Sequence, residues 1–403
     1  MKLAKISLTT QMFVGLILGV FIGIIFNNIP YSEDIFYFFK QLGDVFINLI
    51  KLMILPVVFF TLTASITNFH KGEKLSFLLF KTICLYITTS IIAITIGLVV
   101  AHIFLPEFEQ EIQLPELTKE IAKPNSIMSV LFGIVPSNIV QAMFQTNILQ
   151  IIFFALFLGF AIKSSGEKGQ VVANFFSSAS SVVINLVAIV MKFAPIGVMA
   201  LIANTVYTFG IQSIIPLIKV VILMYVASLL HILIVYIPLI ATSKVKVITF
   251  FKIMAAPLLI AFSTCSSAAT LSSNLVACKK IGVKDSVSSF SIPLGNTLNM
   301  DGASIYIGLV TVFIAGIFHI DFTFTDYFII VAVGLISSIG STGMPGSILI
   351  IITMVFFQIG IPAEAIGLVA GIDRIMDMAR TPLNILGDSV IAVTLDSGNN
   401  TNE

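Results

Sequence analysis

Ser337-Ser338-Ile339-Gly340-Ser341-Thr342-Gly343-Met344-Pro345-Gly346-Ser347 lies in the middle of an apolar segment that runs from about 325 to 360. Glycine and proline at that density end a helix, and the amides and carbonyls so released survive at membrane depth only where protein or a wet cavity satisfies them. A second break, Ser263-Thr264-Cys265-Ser266-Ser267-Ala268-Ala269-Thr270, interrupts the apolar segment at about 250–282. Lysines stand on both sides of that segment, Lys244 and Lys246 before it and Lys279, Lys280 and Lys284 after it. By the positive-inside rule both sets are cytoplasmic, so the segment enters and returns on one side, and parity asks the same of the other. Each is read as a re-entrant helical hairpin, and two polar tips imply one shared site.

The rest of the chain sets this in a membrane. Of its 403 residues, 58% are hydrophobic and only 10% charged, and the mean hydropathy is +1.08. That is more apolar surface than a soluble domain can bury. Further apolar segments fall at about 10–28, 45–68, 78–104, 127–162, 174–207 and 215–242, with helical rather than strand periodicity. The first follows Lys2 and Lys5 and resembles a secretory signal, but it is long and no small-residue cleavage site follows, so it is read as a retained first helix. Lysines cluster around 71–74, 163–168 and 244–246, whereas the loop at 105–126 is acidic, which places both termini in the cytoplasm. Cys84, Cys265 and Cys278 lack metal or disulfide spacing and read as packed thiols, and a net charge of +1 suggests no nucleic-acid partner.

Two aspartates sit where a bilayer disfavours them, Asp301 within Asn299-Met300-Asp301-Gly302 and Asp388 near the end of the last apolar stretch. A carboxylate at that depth costs several kcal/mol unless a cation, a partner charge or water meets it, so such residues mark ion handling. From Asp373 the polar residues recur as Asp377, Arg380/Thr381, Asn384 and Asp388, a spacing that shares one helix face. Pro382 has no N–H to give and frees a carbonyl near Met378 beside that face. Ser266 precedes Asp301 by 35 positions and Ser341 precedes Asp377 by 36, so a hairpin plus a polar helix occurs twice. Entering from opposite sides, the two units form the inverted repeat of secondary transporters. The bland alternative is a salt-bridge network that only holds a bundle together.

These strings, with Lys51-Leu52-Met53-Ile54-Leu55-Pro56 and Phe193-Ala194-Pro195-Ile196-Gly197, resemble the dicarboxylate/amino acid:cation symporters, the glutamate transporter family, over essentially the whole chain. The resemblance implies an all-α membrane protein of eight transmembrane helices plus two re-entrant hairpins, assembled as a homotrimer. It implies a scaffold at 1–77 and 105–208 and a mobile transport domain at 78–104 and 209–403. It also implies three sodium ions. One would sit among the carbonyls of Gly295, Asn299 and Asn384 and the Asp388 carboxylate, and a second among Tyr86, Thr89, Ser90, Asn299 and Asp301. The third would take backbone oxygens of Thr297, Ser338, Ile339 and Ser341. Hard cations prefer such oxygen ligands, and Met300 is the one soft neighbour. The substrate's amino group would meet Asp377, and its α-carboxylate would meet Asn384 and the tip at Ser266 and Ser267. Thr381, Met344 and Gly346 complete the implied substrate pocket.

Arg380 points to the substrate class, because a guanidinium offers a bidentate fork to a side-chain carboxylate. The alternative at this residue is an internal pair with Asp377 or Asp373. Three departures from the family pattern bear on this. Ala303 stands where a threonine is frequent, Cys265 where archaeal relatives have an arginine, and Met378 where animal relatives have theirs; Arg374 is the candidate to supply that charge. His231 reads as hydrogen-bonded packing rather than a proton carrier, and Lys51 as snorkelling or pairing with scaffold carbonyls. The expectation is an inner-membrane symporter that imports glutamate or aspartate with sodium by an elevator-type alternating-access mechanism, without an organic cofactor and in contact with lipid. Proton coupling and C4-dicarboxylate substrates are the alternatives within the family. An intramembrane aspartyl protease needs two aspartates sharing a proton across a water, and a channel needs a continuous wet path; neither explains paired hairpins.

Overall fold

The computed structural model describes residues 8–27, 33–67, 76–105, 133–145, 147–210, 214–339, 347–362 and 365–399. Every regular element among them is helical. The helices are α1 (Leu8–Asn27), α2 (Glu33–Thr67), α3 (Ser76–Phe104), α4 (Ile139–Phe144), α5 (Ile148–Ser164), α6 (Glu167–Met191) and α7 (Ala194–Phe209). There follow α8 (Ile214–His231), a π-helical turn (Ile232–Tyr236), α9 (Ile237–Ala241), α10 (Val247–Thr264), α11 (Ser267–Ile281), α12 (Asp285–Leu298) and α13 (Asp301–Ile317). The chain continues with α14 (Phe324–Ile339), α15 (Ser347–Ile359), α16 (Ile366–Ala370) and α17 (Asp373–Asn399).

Among the described residues, seven helical stretches are long and apolar enough to cross a membrane, and four shorter apolar helices accompany them. The protein is a multi-pass membrane protein. Many outward residues of the peripheral helices are large and apolar, such as Phe21, Phe38, Phe157 and Phe175, as suits a lipid solvent. The stretch Ser291–Ile317 is the opposite case, since 94% of its span is enclosed by protein.

Two expected segments divide differently. The segment at 174–207 is two helices, α6 and α7, separated at Lys192-Phe193. Pro195 explains the start: it lacks an N–H, so it fits the first turn of α7 and cannot continue α6. The described part of 127–162 holds α4 and α5, capped by Asn138 and Asn147. The segment at 250–282 is two helices, α10 and α11, packed on each other and joined at Cys265-Ser266. Cys265 adopts a left-handed conformation (φ 50°), and Ser266 caps α11 by accepting from the Ala269 amide. In the second broken segment α14 packs against α15, and the tip at 340–346 lies outside the described residues. Pro382 sits inside α17, which runs on through it.

Packing sorts the helices by more than sequence order. Helices α1, α2, α5, α6 and α7 pack among themselves. Helix α3 packs instead on α13, α8, α14 and α17. Glycines make the α3–α13 approach possible: a Cβ on Gly308 would stand 2.6 Å from the Ile94 carbonyl oxygen, and one on Gly97 would collide with that of Ile305.

Candidate functional site

Helix α17 carries the densest cluster of buried charge. Asp373, Asp377, Arg380, Thr381, Asn384 and Asp388 are all buried on it. Arg380 Nη1 lies 3.1 Å from Asp373 Oδ1, and Nη2 lies 3.0 Å from Asp377 Oδ1. Thr381 Oγ1 donates to the same Asp377 oxygen at 2.7 Å. Arg374 Nη1 takes the other oxygen of Asp377 at 3.3 Å. The Arg380 guanidinium also lies over the Tyr306 ring, 4.9 Å from its centroid. Two carboxylates and two guanidinia therefore cancel in a protein-enclosed cluster, and the internal pair weighed for Arg380 is present. The expected substrate residues Asp377, Arg380 and Thr381 are brought together.

Opposite this face, Asn299 and Met300 leave helical geometry (φ −92° and −116°) and separate α12 from α13. The break places side chains and backbone against α17. Asn384 Oδ1 accepts from the Gly302 amide at 2.7 Å, and Asn384 Nδ2 faces Met300 Sδ at 3.3 Å. Asn299 Nδ2 donates to the Asn384 carbonyl at 3.1 Å and to Asp388 Oδ1 at 3.0 Å. Among the described residues Asn299 Oδ1 and Asp388 Oδ2 are buried with no hydrogen-bond partner. A Cβ on Gly295 would meet Asp388 and the Tyr86 hydroxyl, so the bare backbone of Gly295 borders this point. Gly295, Asn299, Asn384 and Asp388 thus lie together, with acceptor capacity left at Asn299 Oδ1 and Asp388 Oδ2.

Asp301, fully buried at the start of α13, collects donors from two other helices. Thr89 and Ser90 of α3 donate to Oδ1 at 3.1 and 2.7 Å. Tyr236 donates to Oδ2 at 2.7 Å, and His231 Nε2 lies 3.3 Å from the same oxygen. Among the described residues neither Asp301 nor Asp388 has a lysine or arginine partner. Thr89, Ser90 and Asp301 are brought together. The Tyr86 hydroxyl goes elsewhere, donating to the Ser291 carbonyl at 2.8 Å beside Gly295 and Asp388. The Asn299 side chain likewise bonds Asp388, not Asp301.

The first broken pair is fastened to α17 by Asn274, whose Nδ2 donates to the Ile385 carbonyl at 3.3 Å while its Oδ1 accepts from Ser389 at 2.5 Å. Cys265 at the tip is within electrostatic reach of Asp377, Arg374, Arg380 and Asp373. Ser266 uses its hydroxyl as the α11 cap, and Ser267 is buried beside it. The Thr297 hydroxyl bonds the Leu294 carbonyl. Ser338 and Ile339 end α14, and Ser341, Met344 and Gly346 lie outside the described residues. Sequence reasoning missed Tyr236, Tyr306 and Asn274; His231 is buried and hydrogen-bonded, with Asp301 as the partner the sequence did not name. A lone aromatic or amide in an apolar helix gives no signal of the partner that tertiary structure supplies.

The chain matches the sodium:dicarboxylate symporter family over residues 8–397. It is 35% identical to the proton/sodium-glutamate symport protein of Bacillus subtilis (strain 168), over 98% of this chain and 93% of that one. It is 31% identical to the proton/glutamate-aspartate symporter of Escherichia coli (strain K12), over 98% and 93%. It is 29% identical to the C4-dicarboxylate transport protein of Bacillus subtilis (strain 168), over 99% and 95%. A buried, charge-balanced cluster beside oxygen-rich breaks in apolar helices suits cation-linked transport, and this chain, a transporter and not an enzyme, belongs to the sodium:dicarboxylate symporter family.

Proposed function

We propose that the protein carries acidic amino acids, aspartate or glutamate, inward across the cell's inner membrane together with sodium. The observation that carries this reading is that, among the described residues, the buried oxygens Asp388 Oδ2 and Asn299 Oδ1 have no hydrogen-bond partner and neither Asp301 nor Asp388 meets a lysine or arginine. Buried acceptors without donors are costly, and a small hard cation is the ligand such oxygens suit. Sodium is here a transported ion. It would take the Gly295, Asn299, Asn384 and Asp388 oxygens at one point and Thr89, Ser90 and Asp301 at another, with Tyr86 bordering the first. The third set, at Thr297, Ser338, Ile339 and Ser341, is carried over from the family resemblance.

The substrate's ammonium would meet Asp377, its side-chain carboxylate Arg380, and its α-carboxylate Asn384 and the Ser266/Ser267 tip. Met344 and Gly346 would close the pocket from the second hairpin. Cation and substrate together bring the buried charge near zero, which lets the loaded domain cross an apolar barrier. The packing of α3 on α8, α13, α14 and α17 supports a transport domain at 78–104 and 209–403 sliding on a scaffold at 1–77 and 105–208; the homotrimer and the cytoplasmic termini are carried over from the family resemblance and the lysine distribution. A proton-coupled reading rests on Asp301, whose two oxygens already accept from Thr89, Ser90 and Tyr236 with His231 adjacent. The named activities of the relatives favour neither ion over the other, and they include C4-dicarboxylates.

Isothermal calorimetry on purified protein with aspartate, glutamate and succinate, with and without sodium, tests the reading. Sodium-dependent binding of the two amino acids is expected. Tight binding of succinate alone, or binding indifferent to sodium and to pH, would overturn it.

A further inference from the structure

We infer that Arg374 is an internal stand-in for the substrate's ammonium group: it pairs with Asp377 in the empty site and is displaced when an amino acid binds. The inference rests on the reading of the substrate as an acidic amino acid and specifies how the site tells it from a diacid.

Asp377 has both carboxylate oxygens engaged by side chains of its own helix. Oδ1 holds Arg380 at 3.0 Å and Thr381 at 2.7 Å, while Oδ2 holds Arg374 at 3.3 Å. The two arginines are not held alike. Arg380 grips Asp373 and Asp377 and lies on the Tyr306 ring. Among the described residues Arg374 has one ion pair, the longer contact to Asp377, and its Nε is buried without a partner. Yet Arg374 is 4% exposed, so its charge belongs to the enclosed cluster.

A cation held by one long contact, with a donor left over, is the one an incoming ligand displaces most easily. An incoming ammonium can replace it at Oδ2 of Asp377, so Arg374 and the substrate's ammonium compete for that oxygen. A C4-dicarboxylate has no ammonium, so with that ligand Arg374 must stay on Asp377 to keep the carboxylate neutralised. Removing the charge of Arg374 therefore acts in opposite directions on the two ligand classes. It also leaves Asp377 less compensated when the site is empty, which hinders the return of the unloaded carrier but not exchange of bound for external substrate.

The test uses the full-length protein in proteoliposomes and by calorimetry, comparing wild type, Arg374→Gln and Arg374→Lys. Aspartate binding by the wild type with no tightening in Arg374→Gln overturns this inference alone, whereas failure of the wild type to bind any acidic amino acid overturns the underlying reading. The expected result is aspartate affinity higher by about tenfold in Arg374→Gln, the loss of one competing charge-assisted contact. Succinate affinity should fall or stay unchanged, and net uptake should drop relative to exchange. Arg374→Lys, which keeps the charge, should restore wild-type ratios. Equal weakening for aspartate and succinate, with net uptake and exchange falling together, would show that Arg374 only supports the fold.

Discussion

Replacing Arg380 separates recognition of the side-chain carboxylate from everything else the site does. Its guanidinium presents two nitrogens on one edge, Nη1 toward Asp373 and Nη2 toward Asp377, and is 4% exposed. A hydrogen bond to a charged group contributes about 1.5–3 kcal/mol net, so a two-pronged grip on a substrate carboxylate is worth about 3–6 kcal/mol. That converts to about 100- to 10,000-fold in affinity. The empty site already supplies Arg380 with two carboxylates that the substrate must partly replace, so the lower end, about 100-fold, is the expected loss for aspartate and glutamate in Arg380→Ala. Alanine and serine lack the side-chain carboxylate, so their transport should hold or improve. Removing one partner of a buried ion pair also threatens the fold, by about 3–5 kcal/mol. Arg380→Lys is the companion variant, since it keeps the charge but loses the fork, and an intermediate loss of about tenfold is expected. Competitive uptake of labelled aspartate and serine into proteoliposomes reads both ratios. Unaltered aspartate affinity in a stable Arg380→Ala, or parallel loss for aspartate and serine, would refute the reasoning and leave the arginine a purely internal partner.

Three other substitutions probe separate parts of the site. Asp301→Asn keeps the shape that Thr89, Ser90 and Tyr236 surround but removes the charge; the sodium concentration for half-maximal uptake should rise by about tenfold or more, and an unchanged value contradicts a cation there. Gly302→Ala puts a Cβ into the Arg380 carbonyl and forces α13 away from α17; thermal melting in detergent should show a loss of about 1–3 kcal/mol together with weaker substrate binding, and normal values for both would mean the approach is looser. Ser389→Ala strips the 2.5 Å donor from the Asn274 amide oxygen; a stability loss of about 1–3 kcal/mol with unaltered sodium coupling is expected, and a changed ion requirement would give that bond a direct role in transport.

Much of this was legible in the sequence because a membrane makes polar residues conspicuous. Asp301, Asp388 and the Asp377–Asn384 stripe stand out against apolar neighbours, and periodicity alone puts the stripe on one face, where α17 presents it. The break between α10 and α11 was readable from Ser263 to Thr270 because those residues favour caps and turns over helix interiors. What could not be read is how helices distant in sequence meet. The division of 174–207 at Lys192-Phe193 was hidden because both sides are equally apolar and Pro195 fits either a kink or a new start. Tyr236 and His231 reach Asp301 from a helix 65 or more positions away, helped by the π-helical turn that shifts the register at 232–236. The direction of the Tyr86 hydroxyl, toward Ser291 and not Asp301, is likewise set by packing of α3 on α12.

Uptake of labelled aspartate by purified protein in proteoliposomes, under an imposed inward sodium gradient, an inward proton gradient, or neither, tests the proposal that the buried carboxylates are met by cations that travel with the solute. Accumulation above the external concentration with the sodium gradient, and its collapse without any cation gradient, is the predicted result. Equal, non-accumulating uptake in all three conditions would contradict it.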